Sequence, residues 1–564
     1  MKLDPERRIA GILVPLFALR REEDLGIGDL AALREFIDWS AELGFHLVQL
    51  LPINELGGDN SPYNAISSMA IDPTTLRLGP GAPEDLTETD FGEVTQMLKA
   101  RRLRHGPINY RRVKRLKRAL LEKAWENFLS QGSEARRADF AAFQEEEKGW
   151  LEDYTLFRVL MEQNGGETWD EWPEENRSCE RARIWLEGLR SDRRARLENR
   201  RRFFAYVQWI AHLQWRETKK YAESKGVALM GDIPYGVSYY SADVFAQPNE
   251  FELEWSGGAP PEPYFKDDQF TQKWGQNWGI PVYKWSAMKA NDLAWWKRRV
   301  SGVRNLFHLF RIDHVLGFYR IYAFPWRPKE NQSFLPLEWD QMLERTGGRF
   351  PHFVPRDDSN HENAERNCRE GEEYLRKILD ACGETRLVGE DLGTVPNYVR
   401  PNLRSLGIAG FKIPQWETEG DQVVPGETYD RLAVATYATH DHKPIRELWD
   451  EAFVTSTPFS DQARTDIWRI ARFARIEPFG PDTDFDRQFY PAMMKALFQC
   501  NAWIAVVMIT DLLASRDRFN VPGVGANTNW TKRLRTTVDG LRQSRSVRSK
   551  TRVLKNLLIE SGRS

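Results

Sequence analysis

Short apolar runs rich in β-branched residues, each ending in polar or charged positions and followed by a stretch of helical periodicity, recur along the chain. The first, Gly11 to Leu19, leads through Asp24-Leu25-Gly26-Ile27-Gly28 into apolar residues at helical spacing from Asp29 to Leu43, which Gly44 stops. Phe45 to Ile53 reads as the next strand. Val227 to Ile233, Leu306 to Val315, Arg386 to Leu392, Ile408 to Ile413, Leu432 to Tyr437 and Ala502 to Ile509 follow, most of them separated by helical patterns such as Phe203 to Lys225 and Gly371 to Cys382. Eight strands alternating with helices predict a parallel α/β fold, and the count suits a (β/α)8 TIM barrel. No Gly-x-Gly-x-x-Gly or phosphate-loop motif follows any strand, which disfavours a doubly wound nucleotide-binding sheet.

Two stretches break the repeat. Residues 80 to 202 are charged and helical in pattern, with basic runs at Arg111 to Arg118 and Arg190 to Arg202. Acidic residues elsewhere in the segment favour solvated helix faces over a polyanion site, and we expect an inserted, largely helical subdomain there. Residues 247 to 285 are dense in Gly, Pro and aromatics, and long aromatic loops usually bind something. We expect an irregular aromatic substrate loop or lid. The whole of 1 to 564 then forms one catalytic barrel unit with these two insertions.

Composition narrows the class. In 564 residues, 80 Lys and Arg balance 82 Asp and Glu, so a net charge of −2 gives no reason to expect nucleic acid as a partner. With 41% apolar and 29% charged residues, a large core and a soluble surface are both provided for. No run of 18 apolar residues spans a membrane. Lys2, Arg7 and Arg8 before an apolar run imitate a signal peptide, but Asp4 and Glu6 interrupt the basic region and no small-residue cleavage site follows, so we read a buried strand. Cys179, Cys368, Cys382 and Cys500 are far apart with no Cys-x-x-Cys pair, which fits a reducing, cytoplasmic setting. The 21 Trp, 17 Tyr and 30 Phe serve equally to fill a large core or to stack on sugar rings.

Three acids stand at ends of predicted strands: Asp313 in Phe310-Arg311-Ile312-Asp313-His314, Glu390 in Gly389-Glu390-Asp391-Leu392-Gly393, and Asp441 in Thr439-His440-Asp441-His442. Carboxylates at the C-terminal ends of barrel strands face the mouth where active sites of this fold are built. A nucleophile, a proton donor and a third charge suit glycosidic bond exchange. Arg311, two residues from Asp313 and on the same strand face, is placed to keep it ionised, and Asp391 beside Glu390 is expected to raise the Glu390 pKa. Each element has a plainer reading: a structural salt bridge, a solvated turn, or, for His440-Asp441-His442, a metal cluster that no second histidine group supports. No Gly-x-Ser-x-Gly elbow points to a serine hydrolase.

The order Arg-x-Asp-His, Gly-Glu-Asp-Leu-Gly and Thr-His-Asp resembles the catalytic core of glycoside hydrolase family 77, the 4-α-glucanotransferases known as amylomaltase or disproportionating enzyme. Further segments carry the likeness: Pro15-Leu16 with Leu25 to Asp29, Gln49 to Pro52, Ser61-Pro62-Tyr63, Gly231 to Pro234, Gly275 or Gln276 to Trp285, and Asn520 to Trp530, so that it covers about 11 to 535. The resemblance implies a (β/α)8 barrel without a separate C-terminal β domain, acting on an α-1,4-glucan donor and a sugar acceptor. By the same likeness Asp313 is the nucleophile, Glu390 the general acid/base and Asp441 the transition-state stabiliser. Arg311 and His440 would contact the sugar being cleaved and His314 the acceptor side, with Tyr63, Asp232, Gln276 and Trp278 in sugar-binding regions. Side chains carry both proton transfers and the covalent step, so no metal or organic cofactor is expected; the sequence carries no signal for an oligomeric state.

The chain departs from the family pattern in two places. Where Pro-Pro-Asp commonly precedes Gly-Gln-x-Trp-Gly, Glu262 replaces the aspartate and added residues, including Pro263 and Lys266-Asp267-Asp268, lengthen the connection. After Asp441, His442 stands where Asn is common. Both changes bear on acceptor preference and leave the three acids intact. A hydrolytic α-glucanase with the same carboxylates, and a non-catalytic glucan-binding protein, are the alternatives.

Overall fold

The computed structural model describes residues 1–262, 268–455, 460–522 and 528–564. In chain order the strands are β1 (Ile9–Leu13), β2 (Leu47–Gln49), β3 (Ala228–Ile233), β4 (Phe251–Ala259), β5 (Gln276–Tyr283), β6 (Leu309–Ile312), β7 (Ile321–Phe324), β8 (His352–Val354), β9 (Arg386–Gly389), β10 (Gly410–Lys412), a short ribbon of β11 (Thr418–Glu419) with β12 (Gln422–Val423), β13 (Ala433–Ala435) and β14 (Ile504–Met508). Eight of them form one all-parallel sheet in the order β10-β13-β14-β1-β2-β3-β6-β9. The parallel bridge Val388↔Ala409 and the 2.9 Å bond from Gly389 N–H to Ala409 C=O join its two ends, closing a (β/α)8 barrel. Seven of the eight predicted runs contain one of these strands, and the first, Gly11 to Leu19, overlaps β1, which begins two residues earlier at Ile9.

Buried on both faces, the strands are nearly all apolar, as parallel sheets require, and alternate between two packed layers. In β1, Ile9 and Leu13 point into the barrel interior with Leu47, Met230, Leu309, Val388, Phe411, Val434 and Ile504, whereas Ala10 and Ile12 face the surrounding helices. The predicted first strand ends early: Pro15 lacks an N–H for the ladder, and Leu16–Ala18 turn into a 3-10 segment. The opposite end of the barrel is plugged by Arg563. Its guanidinium is buried and donates to the carbonyls of Ile9, Phe498, Cys500, Ala502 and Trp503.

Helices at Glu88–Met97, Tyr110–Gln131, Glu134–Glu146, Lys148–Asn164 and Cys179–Glu187 occupy the stretch read as a helical insertion. The last helix, Ser191–Ser224, runs without a break from that stretch to the strand β3, so position 202 falls inside it. Its arginines are largely spent in place: Arg200 pairs with Glu162 at 2.7 Å and with Glu122 at 3.0 Å, and Arg201 with Glu198 at 3.0 Å.

The described residues of 247–285 include two strands in place of the expected irregular loop. β4 and β5 pair antiparallel and join β7 and β8 in a four-stranded sheet of order β5-β4-β7-β8. Gly and Pro there read as breakers, but Gly258 answers a packing demand: a Cβ on it would lie 1.8 Å from the Gln276 carbonyl oxygen. Pro263, Lys266 and Asp267, part of the lengthened connection, lie outside the described residues. Beyond residue 528 the chain ends in the helices Val538–Gln543 and Arg545–Glu560, with no added β domain among the described residues.

Candidate active site

The C-terminal ends of β3, β6 and β9 and the loop after β13 bring the predicted residues to one mouth of the barrel. Parallel register sets Asp232 in β3 beside Arg311 in β6. The next ladder steps, Asp313 N–H to Ile233 C=O and Glu390 N–H to Ile312 C=O, both 2.9 Å, fix the two acids just past their strands.

Arg311 is the hub. One guanidinium nitrogen, Nη1, donates to both Asp232 oxygens at 2.8 Å, and the other, Nη2, reaches Asp313 Oδ1 at 2.6 Å and Glu390 Oε2 at 4.0 Å. A single nitrogen thus has an oxygen of each acid within 4.0 Å, which draws the two carboxyl groups together. Asp232 is sealed from solvent, while the Asp313 side chain keeps 31% of its surface open. A buried arginine with three acids around it remains charged whatever the pH of folding, since its desolvation is outweighed by Asp232 and Asp313.

Glu390 accepts from the backbone N–H of His314 at 2.8 Å and of Leu392 at 3.0 Å. His314 reaches it from a left-handed backbone, φ 49°, a conformation costly outside glycine that turns its N–H inward. Burial raises the Glu390 carboxyl to about 7; Arg311 opposes the rise and Asp313 adds to it. Neighbouring Asp391, expected to drive this shift, is a minor contributor. It faces away, accepting from Phe411 N–H at 2.6 Å and Arg400 at 3.0 Å, in a seat that a Cβ on Gly410 would invade at 2.8 Å.

The third acid is tied to the same network. Tyr63 OH donates to Asp232 at 2.7 Å and meets His440 Nδ1 at 3.2 Å, and its ring stacks on His440 with centroids 4.7 Å apart. His440 Nε2 lies 3.1 Å from Asp441 Oδ2, and Asn520 Nδ2 donates to Asp441 Oδ1 at 2.5 Å. Desolvation works against ionising Asp441, but His440 and Asn520 outweigh it and hold the carboxyl well below the usual range. Both His440 ring nitrogens are thus engaged by Tyr63 and Asp441, and His442 Nδ1 accepts from Thr439 N–H at 2.9 Å, so the His-Asp-His run is built into hydrogen bonds rather than splayed as a ligand set.

On the other rim, the Trp278 ring meets His314 edge-on at 4.8 Å and its indole N–H donates to Gln276 Oε1 at 3.1 Å. Trp278 is 37% exposed. The ten residues predicted from sequence therefore form one connected constellation. Sequence reasoning gave no role to Asn520, although it opens the quoted Asn520 to Trp530 segment, nor to Trp416, which follows β10 exposed and packs against the His442 ring at 4.8 Å. A strand-end aromatic was the available signal for Trp416. Together the arrangement offers a solvent-reachable acid, a buried carboxyl raised to about 7 that shares an arginine nitrogen with it, and an ionised third acid beside an aromatic wall.

A family model described as 4-alpha-glucanotransferase, glycoside hydrolase 77, matches residues 14–538. The chain is 30% identical over 545 residues to a 4-alpha-glucanotransferase of Chlamydia pneumoniae, covering 94% of this chain and 92% of that one. It is 29% identical over 523 residues to the Thermus thermophilus 4-alpha-glucanotransferase, covering 90% and 91%. In architecture it resembles the amylomaltase from Streptococcus agalactiae solved in complex with acarbose, with TM-score 0.75 at 22% identity over 99% of this chain and 100% of that one. The Corynebacterium glutamicum amylomaltase gives TM-score 0.76 at 18% identity, covering 98% and 75%.

Proposed function

The chain belongs to glycoside hydrolase family 77 and is a 4-α-glucanotransferase acting on α-1,4-glucans, and from that premise we propose that it works by a retaining double displacement carried by Asp313, Glu390 and Asp441. The observation that supports this most is the shared Arg311 nitrogen, 2.6 Å from an Asp313 oxygen and 4.0 Å from a Glu390 oxygen, which keeps the two carboxyl groups close. Retaining enzymes hold their pair about 5 to 5.5 Å apart, whereas inverting ones need room for a water.

In the first step the open Asp313 oxygen attacks the anomeric carbon, and the glycosidic oxygen leaves with the Glu390 proton, giving a β-linked glycosyl ester and a free glucan end. Glu390 suits the proton donation because at about 7 its carboxyl is substantially protonated at neutral pH. Esterification removes the Asp313 charge, one of the groups that raise Glu390, so the Glu390 pKa falls when it must act as base. It then takes the proton of an acceptor 4-hydroxyl, whose oxygen displaces Asp313 and restores the α linkage. Ionised Asp441 faces the sugar on which oxocarbenium charge develops, with Tyr63 and His440 as the stacked wall beside it and Asp232 held behind Tyr63.

Transfer instead of hydrolysis requires a bound acceptor to outcompete water. Well-oriented groups reach effective molarities of ~10⁵ to 10⁸ M, and we assign acceptor orientation to Gln276, Trp278 and His314. The four free cysteines support a cytoplasmic location, and no helix among the described residues is long and apolar enough to cross a membrane. The test is incubation with maltotriose alone: longer oligosaccharides plus glucose at nearly constant reducing ends support the proposal. Rising reducing ends with only shorter sugars would make the cleft hydrolytic.

A further inference from the structure

The four-stranded sheet carries the acceptor-side residues on one edge and an unexplained row of aromatic rings at the other. β5 bears Trp278 beside His314; at the far edge β8 bears His352. From His352 the rings run in contact. Trp255 of β4 lies 4.9 Å away on one side, Phe350 5.3 Å on the other, and Trp339 5.8 Å beyond Phe350. Trp339 is 50% and Phe350 43% exposed, unusual for side chains of this size. Their base is firm: Trp339 stacks on buried Trp274, which sits with Phe270, Phe324, Trp326 and Phe334 in a separate small core. The exposed Arg349–Glu254 ion pair, 2.7 Å, is built from the residues next to Phe350 and Trp255 in the chain.

We infer that this row is a second binding site for an α-1,4-glucan strand, outside the catalytic cleft. Sugar rings present apolar faces to aromatic side chains and hydroxyls to polar neighbours, and a row one ring wide with a charged pair near it matches a single chain. A protein interface fits poorly. Fully exposed aromatics offer at most about 150–250 Å² each, so these half-open rings fall far short of the ~800 Å² per partner that a stable interface buries. β8 and β5 are separated by three strand spacings, roughly 14 Å, so a glucan held on the row is tethered close to the acceptor side. Tethering raises local concentration for chains long enough to reach both sites and does nothing for short ones. The inference rests on the cleft being the glucan transferase site.

The experiment compares the Trp339→Ala/Phe350→Ala double variant with the unaltered enzyme on maltotriose and on amylose. Maltotriose turnover reports on the cleft alone. We expect it unchanged in kcat and KM, with KM for amylose raised about 3- to 10-fold, the range that lost aromatic contacts produce. In the inactive Asp313→Asn background, the same pair of substitutions releases the protein from retardation in an amylose-containing native gel. Equal changes on both substrates, no change on amylose, or a shift in sedimentation showing that the face joins two copies, would each overturn the inference. Phe350→Ser alone, at the exposed tip, repeats the comparison if the double variant folds poorly. Loss of transfer from maltotriose by the unaltered enzyme would instead remove the reading of the cleft.

Discussion

Replacing Asp313 by Asn imitates the charge state of the glycosyl ester and tests the proton logic of the site. Oxygens of Asp313 and Glu390 flank the shared Arg311 nitrogen at 2.6 Å and 4.0 Å. At a separation of roughly 6 Å and an effective dielectric of ~20, a unit charge is worth about 2.8 kcal/mol, close to two pKa units. Arg311 beside both groups offsets part of this, so Asp313→Asn should lower the Glu390 carboxyl from about 7 by roughly one unit or more. It should stay above an ordinary glutamate, because burial, the largest cause of the rise, is untouched. The assay is a pH titration of ¹³C-glutamate-labelled protein, the Glu390 resonance being identified by its disappearance in Glu390→Gln. If Glu390 titrates at the same pH with and without the Asp313 charge, the coupling that converts it from acid to base does not exist.

Other consequences follow from the same geometry. As a proton donor held near 7, Glu390 should make kcat/KM for maltotriose fall tenfold per pH unit above about 7, and Glu390→Gln should remove that limb while sparing first-step reaction with a glycosyl fluoride, whose leaving group needs no proton. Tyr63→Phe deletes the hydroxyl between Asp232 and His440; a hydrogen bond to a charged group is worth about 1.5–3 kcal/mol, so the denaturant midpoint should fall, and kcat/KM should drop about 10- to 100-fold as His440 loses its tie to Asp232. Arg563→Met removes the guanidinium from five carbonyls of the barrel floor, of which Cys500 keeps Arg8 and Trp503 keeps the Ile9 N–H, and should cost at least ~3 kcal/mol, read as a lower denaturant midpoint with maltotriose KM unchanged. His212, buried without a partner between Phe143 and Trp150, is depressed to about 3. The unfolded chain binds that proton from about 6.5 downward and the folded one does not, so stability falls as pH drops from about 6.5 toward 3, and His212→Phe should flatten the urea-midpoint profile across that window by one proton.

The barrel was legible because its strands are buried on both faces: the apolar runs of β1, β3 and β14 fit buried parallel strands at that length and spacing. Their ends were less so, since Pro15 cuts β1 short by a local backbone constraint that hydrophobicity does not report. The second sheet escaped notice because antiparallel pairing of β4 with β5 and β7 depends on partners distant in sequence, and Gly257 and Gly258, needed for close approach, look like loop residues. Within the site, strand-end carboxylates announce themselves, and the structure brings Asp313, Glu390 and Asp441 to one mouth. The hydrogen-bond relay from Asp232 through Tyr63 to His440 does not, since its members are 169 and 377 residues apart. The origin of the raised Glu390 pKa was misread for a related reason: adjacency in sequence made Asp391 look close, while the strand's alternation turned it outward onto Arg400.

The most direct test of the account is to trap the covalent intermediate. Glu390→Gln enzyme, given an α-maltosyl fluoride, should be glycosylated in the first step and then stall for want of a base. Proteolysis and mass spectrometry should find one glycosyl adduct on the peptide carrying Asp313, absent from Asp313→Asn protein. An adduct on another residue, or β-configured products released with no adduct at all, would contradict the double displacement.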